Sequence, residues 1–348
     1  MNNYYCVLPF YSVETTFDDP NKNIYCCRLP ANTDIESVQN SIKNKTRSPN
    51  CNTCWRLEDQ GLKSERQIHN ETLDYLFDVS IENLEIQSVA QGFKPQSIKI
   101  ATSNLCNGQC ITCNSHYSSS WARLEDKPVN YKRLDYLGMD IDWASIVSLS
   151  FVGGEPFLEK RNFEILENLV ELGNHNCFIS IVTNGSVSLT DKQIAILSNF
   201  KKLNICISID GTGSVFEYLR FPLKWDDLLK NLKQFRTITD NISVSCMISN
   251  VNVLYYTELV DFFKDQQINY MCKQVTQPYI FAPGNLPGNL KKHVLYRNKK
   301  YATEVNGFLN CGQYSEFAWQ SFLNELNRQD QIKKINRLSY VQEFANLL

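Results

Sequence analysis

From residue 97 onward, short β-branched runs alternate with longer stretches whose apolar residues recur every three or four positions. The runs SIKIATS (97–103), IVSLSFVGG (146–154), CFISIVTN (177–184), LNICISID (203–210), ISVSCMIS (242–249) and INYMCKQV (268–275) read as strands. Between them, PFLEKRNFEILENLVELG (156–173), TDKQIAILSNFKK (190–202), KWDDLLKNLKQFRTI (224–238) and VLYYTELVDFFKDQQ (253–267) read as amphipathic helices. Such alternation predicts parallel βαβ units, and six of them predict an α/β fold, either a partial barrel or an open doubly wound sheet. Residues 1 to about 60 are turn-rich with short apolar runs, and are expected to build little core unaided. Residues 64–92 read as connecting helix and loop, and the tail from about 315 as one or two more helices. No internal repeat or low-complexity segment is evident.

The residues that suggest chemistry follow these strands. CNGQCITC comes after the first, GGEP ends the second, TNG ends the third and SIDG ends the fourth. In parallel α/β folds ligands bind at the carboxyl ends of the strands, so the four motifs are expected on one face.

Composition narrows the partners. The 348 residues are 43% apolar and 21% charged, an ordinary globular balance for one large domain and a smaller one. A net charge of −2 offers no basic field for nucleic acid or anionic membrane. No run of 18 apolar residues suggests a spanning helix, and MNNYYCVLPFYS has no signal-peptide pattern. A cytoplasmic location is expected, with no membrane and no nucleic-acid partner.

In a reducing compartment, thirteen cysteines change the picture, because grouped thiols there hold metal more often than they form disulfides. Eight are grouped: Cys6, Cys26, Cys27, Cys51 and Cys54, then Cys106, Cys110 and Cys113. Cys177, Cys206 and Cys246 lie in strand-like runs and read as small buried hydrophobes. Cys272 and Cys311 suggest no role. Three thiolates on one loop can hold three corners of a [4Fe–4S] cluster and leave one iron open, whereas a full set has four cysteines. A zinc site completed from elsewhere is the other reading of the same residues.

The three- and two-residue spacing of CNGQCITC resembles that of radical S-adenosylmethionine (SAM) enzymes. The resemblance implies that the open iron chelates SAM. It further implies that the reduced cluster cleaves the sulfonium to a 5′-deoxyadenosyl radical, which abstracts hydrogen from a substrate. Gly153, Gly154 and Glu155 of GGEP resemble the family's glycine–glutamate motif. Asn184, Ser208 and Asp210 resemble its contacts to the SAM carboxylate and ribose, and Arg220 the arginine that pairs with that carboxylate. Met247 to Ser249 end the fifth strand, where the family places adenine contacts. Before the third cysteine the family carries an aromatic residue, and here Thr112 stands instead. The fold so implied is a partial (β/α)6 TIM-type barrel over 93–290, with a small N-terminal cysteine-rich domain (1–92) and a C-terminal helical extension (291–348).

CNTCWRLEDQGLKSERQIHN around Cys51 and Cys54 resembles the auxiliary-cluster modules called SPASM or twitch domains. This implies a second [4Fe–4S] cluster held by Cys6, Cys51, Cys54 and one of Cys26 and Cys27. The adjacent pair could also supply two ligands, and a structural zinc knuckle takes the same four thiolates. By the same resemblance the substrate is a peptide or protein side chain, a small molecule being the alternative. A non-catalytic iron–sulfur protein is the alternative from another class. A flavodoxin- or ferredoxin-type electron donor is implied.

His69, His116, His175 and His293 have no ligand spacing and read as surface or structural residues, with His116 nearest the cysteine loop. Lys273, Gln274 and Tyr279 lie in or beside a turn-rich loop after the sixth strand, where loop packing and substrate contact are both open.

Overall fold

The computed structural model describes residues 4–16, 19–24, 26, 29, 33–59, 61, 63–77, 83, 85, 86, 90, 95–129, 141–311 and 314–348. Its contacts divide the chain into two compact units. One comprises Met1–Ser103, Tyr131–Ile181 and Asp191–Leu203, the other Asn104–Asn130, Val182–Thr190 and Asn204–Leu348. No helix among the described residues is long and apolar enough to cross a membrane.

In the first unit, β1 (Ser12–Thr16) and β2 (Asp19–Ile24) form an antiparallel hairpin. β1 then runs parallel to β3 (Ser97–Ala101), with Ser12 opposite Ser97 and Thr16 opposite Ala101. β4 (Ser148–Val152) and β5 (Phe178–Thr183) continue the parallel order. Alternate residues Ile98, Ile100, Leu149, Phe151, Ile179 and Ile181 are buried, as the period of two requires. Each such side chain contributes about 1.5–3 kcal/mol by burial. The helix Lys160–Glu171 buries Phe163, Ile165, Leu166 and Leu169, and Glu159 caps its start by accepting from the Arg161 amide.

The N-terminal segment departs from expectation. Sequence reading gave it no strand, yet it supplies β1 and β2. It also builds a core of its own, where Tyr5 to Leu8, Phe10 and Tyr11 pack with Val38 and Ile42 of the helix Ile35–Lys43. Polar bonds hold this core. Arg66 is ion-paired to Glu58 at 2.5 Å and donates to the Tyr5 carbonyl at 2.6 Å. Asn70 accepts from the Val7 amide and donates back to the Tyr5 carbonyl.

In the second unit, β6 (Lys202–Ser208), β7 (Ile242–Ile248) and β8 (Asn269–Gln274) are parallel. All six strands expected from sequence therefore form, as β3 to β8, and the fold is α/β with parallel pairing. The helix Trp225–Phe235 buries Leu228, Leu232 and Phe235, spaced to one face. The helix Tyr256–Asp265 buries Tyr256, Leu259, Val260 and Phe263. Further helices span Gly288–Arg297, Ala302–Leu309, Glu316–Lys333 and Gln342–Asn346. Of the three cysteines expected in strand-like runs, Cys177, just before β5, and Cys246 are buried as expected. Cys206 is only half-buried, beside Ser243 and Ser245 of the neighbouring strand.

Candidate functional site

The loop after Ser103 has almost no regular structure, so its shape comes from side chains tying down its backbone. Ser119 Oγ accepts from the Cys106 amide at 3.0 Å and donates to the Cys106 carbonyl at 3.1 Å. Ser118 Oγ donates to the Gly108 carbonyl at 2.7 Å, and Trp121 Nε1 to the Cys110 carbonyl at 3.0 Å. Ser118 also caps the helix Ser119–Leu124. The Gln109 and Ile111 amides donate to the carbonyls of Phe221 and Leu219. Gln329, on the helix Glu316–Lys333, donates to the Ile111 carbonyl at 2.9 Å.

This scaffold brings the three thiols into one group. Burial pushes the Cys113 thiol up to about 12, with Cys110 and Cys106 close enough to add to the effect. Burial also raises Cys110, against the pull of the Arg220 cation. A thiol that burial keeps protonated ionises when a metal takes the proton's place. Donors already face the sulfurs. The Gly108 amide lies 3.3 Å from Cys106 Sγ, Asn184 Nδ2 lies 4.0 Å from it, and Arg220 Nη1 lies 3.9 Å from Cys110 Sγ. Hydrogen bonds onto ligand sulfurs are how a protein tunes a cluster. Gly108 leaves space between the sulfurs, since a Cβ there would lie 3.5 Å from Cys110 Sγ and 3.7 Å from Cys106 Sγ.

Among the described residues, no group of three or more His, Cys, Asp and Glu side chains is set to hold a single metal ion. A cubane cluster asks for something else: each cysteine binds its own iron, so the sulfurs surround a volume rather than converge on a point. The three thiols, the gap at Gly108 and the donors on the sulfurs fit that demand.

Beside the thiols, Asp210 and Arg220 form an ion pair of 2.6 Å, both side chains about one-tenth exposed. Asp210 Oδ1 accepts from the Met247 amide at 2.7 Å, which fixes its second oxygen toward Arg220. Asn252, missed in the sequence reading, donates to the carbonyls of Asp210 and Met247 at 2.7 and 2.9 Å. Arg220 Nε is buried with no hydrogen-bond acceptor among the described residues, so one N–H of its fork remains for an anion. Asn184 sits in a closed network. It donates to Asn107, Asn107 donates to Ser186, and the Ser186 hydroxyl donates back to Asn184 at 2.6 Å. Asn107 and Ser186 were also not foreseen; the signal for Asn107 was its place inside the cysteine motif. Ser208 is half-buried at the end of β6, opposite Ser245, and Ser249 is buried with its amide held by Asn252.

The other expected residues are placed as follows. In the first unit, Gly153 has a φ of +113°, a conformation for which glycine is suited, and the Gly154 amide donates to the Ser103 carbonyl. Buried Glu155 accepts from the Phe157 amide and so caps the turn Pro156–Leu158. Also in this unit, Cys6 and Cys54 are buried, and Cys26 and Cys51 are half-buried against the N-terminal core. Burial pushes Cys6 up to about 12, with Cys51 and Cys54 near enough to add to it. Cys27 lies outside the described residues. In the second unit, His116 is exposed, edge-on to Tyr117. Tyr279 and Lys273 are exposed, and Gln274 donates to Cys311 Sγ.

Residues 100–263 match the family model described as the Radical SAM superfamily. No curated protein matches the chain. Among solved structures, native anSMEcpe with bound AdoMet is 20% identical over 62% of this chain and 62% of its own, with a TM-score of 0.43. SuiB of Streptococcus suis bound to S-adenosylmethionine is 17% identical over 65% of this chain and 50% of its own, with a TM-score of 0.40. The same SuiB bound to precursor peptide SuiA is 14% identical over 87% and 61%, with a TM-score of 0.40. The matched part thus spans less than two thirds of each of those chains.

Proposed function

We propose that this chain is a radical SAM enzyme. Cys106, Cys110 and Cys113 would hold a [4Fe–4S] cluster, and Asn184, Ser208, Asp210 and Arg220, with Gly153, Gly154 and Glu155, would bind SAM. The observation that carries the reading is the three-thiol group with donors aimed at its sulfurs, inside the stretch that matches the family model. When bound, the cluster supplies one electron to break a carbon–sulfur bond of SAM, and with it the means to abstract a hydrogen atom from a substrate. The chain's own part is binding and orientation. Asp210 holds Arg220 by one terminal nitrogen and leaves Nε to meet a carboxylate. Asn184 steadies Asn107 beside Cys106.

Cys6, Cys51, Cys54 and one of Cys26 and Cys27 would hold a second cluster. Its support is the mutual proximity of the first three thiols and the packing of Cys26 against the same core. The substrate class we put forward is a peptide or protein side chain, on the resemblance of this cysteine group to auxiliary-cluster modules.

Anaerobic iron and sulfide analysis tests the reading. The wild type should carry about eight irons, and a Cys106→Ala, Cys110→Ala, Cys113→Ala variant about four. Four irons with one zinc in the wild type would make the N-terminal site structural. Zinc without sulfide after anaerobic reconstitution would end the radical SAM reading. For the substrate, deuterium should pass from a labelled peptide into 5′-deoxyadenosine; transfer only from a metabolite would exclude the peptide.

A further inference from the structure

Two thiols outside this machinery face each other across neighbouring strands. Cys246 on β7 and Cys272 on β8 are register partners in a parallel pair, so their side chains leave the same face of the sheet. Neighbouring strands lie about 4.8 Å apart. That falls inside the roughly 4.4–6.8 Å Cα separation that a disulfide spans. The two thiols and the Tyr256 hydroxyl lie near enough to one another for each to shift the ionisation of the others.

The two sulfurs differ in access and in chemistry. Cys246 is fully buried, and burial raises its thiol. Cys272 is half-buried, on a strand whose neighbouring residues Tyr270, Met271 and Lys273 are exposed. The influence of neighbouring Cys246, with that of Tyr256, outweighs its burial and holds its thiol below the ordinary value. A thiolate stabilised by its neighbours and open to small molecules is the attacking sulfur of an exchange pair; a buried partner is the resolving one.

We propose that Cys246 and Cys272 form a redox-active pair, closing a reversible disulfide between β7 and β8 in the presence of a low-molecular-weight disulfide. Cys272 attacks one sulfur of the reagent, forming a mixed disulfide and releasing the other half as a thiol. Cys246 then attacks the Cys272 sulfur of that mixed disulfide, giving up its proton and releasing the second half. The two cysteines are oxidised by two electrons, and the reagent is reduced to two thiols. Met247, next to Cys246, is the residue whose amide orients Asp210, so the bond would tie down the strand that holds the Asp210–Arg220 pair. The inference does not depend on the proposed reaction.

The test uses the full chain, cluster-loaded and anaerobic, incubated with glutathione disulfide. Remaining thiols are then blocked by alkylation in denaturant, and the digest is mapped by mass spectrometry. A peptide joining Cys246 to Cys272 should appear in more than half of the chains and vanish after dithiothreitol. In Cys246→Ser, that peptide should be absent and Cys272 should carry one glutathione. Two singly alkylated cysteines in the oxidised wild type would overturn the proposal, as would Cys272 joined to Cys311 instead. An unmodified Cys272 in Cys246→Ser would overturn its role as the attacking sulfur.

Discussion

At Gly108 an added methyl group would lie in ordinary contact with Cys110 Sγ, Cys106 Sγ and Leu223. Gly108→Ala should therefore leave the denaturation midpoint within about 1 kcal/mol of wild type. Because the methyl fills the space between two sulfurs, iron content after reconstitution should fall from about eight toward about four, with sulfide in step. Gly153→Ala is the contrast. Its Cβ would meet the Ser103 carbonyl oxygen at 2.7 Å in a backbone held at φ +113°, and the strain should cost about 1–3 kcal/mol, read by urea denaturation. Both glycines sit in motifs visible in the sequence, and so do the three cysteines, because each motif is local. The Asp210–Arg220 pair was not visible as a pair. Two residues ten apart were both assigned to the ligand, whereas the folded chain sets one to hold the other.

Between elements, Asn252 joins the ends of β6 and β7. Its amide donates to two carbonyls, and its oxygen accepts from the Ser249 amide at 2.6 Å. Asn252→Leu would leave three buried polar groups unpaired and should destabilise by about 3 kcal/mol or more. Asn252→Asp, which keeps only the acceptor, should fall between the two. Chemical denaturation orders the three proteins. The strands themselves were legible because their apolar positions alternate or run together, as in Ile242, Val244, Cys246 and Ile248. β1 was not. Its sequence SVETT is mostly polar, and its strand partner Ser97 lies far along the chain from Ser12. Asn252 was hidden for a related reason: SNVNV looks like any turn until the carbonyls it serves are known.

Over the whole molecule, Lys333 links stability to pH. Burial pushes its ammonium down to about 8 from 10.5, with Cys110, Asp330 and Glu325 pulling the other way. Its Nζ lies 4.6 Å from the Trp121 ring centroid and donates to Gln329. Between pH 8 and 10.5 the unfolded chain binds the proton more often than the folded one, so this group makes stability rise with pH over that window. The gain is on the order of 3 kcal/mol. In the metal-free chain, the denaturation midpoint of Lys333→Met should lack this rise between pH 7.5 and 9.5; a parallel rise in both proteins would count against it. Lys333 shares its helix with Gln329, whose side chain reaches the Ile111 carbonyl across 218 residues of sequence. A ribosome releases the cysteine loop long before it has made that helix. Iron delivered to the growing chain would meet thiols on an unbraced loop, and the brace arrives only once Gln329 has been made. Assembly of a braced site is then a step that waits until the chain has grown from Ile111 to Gln329.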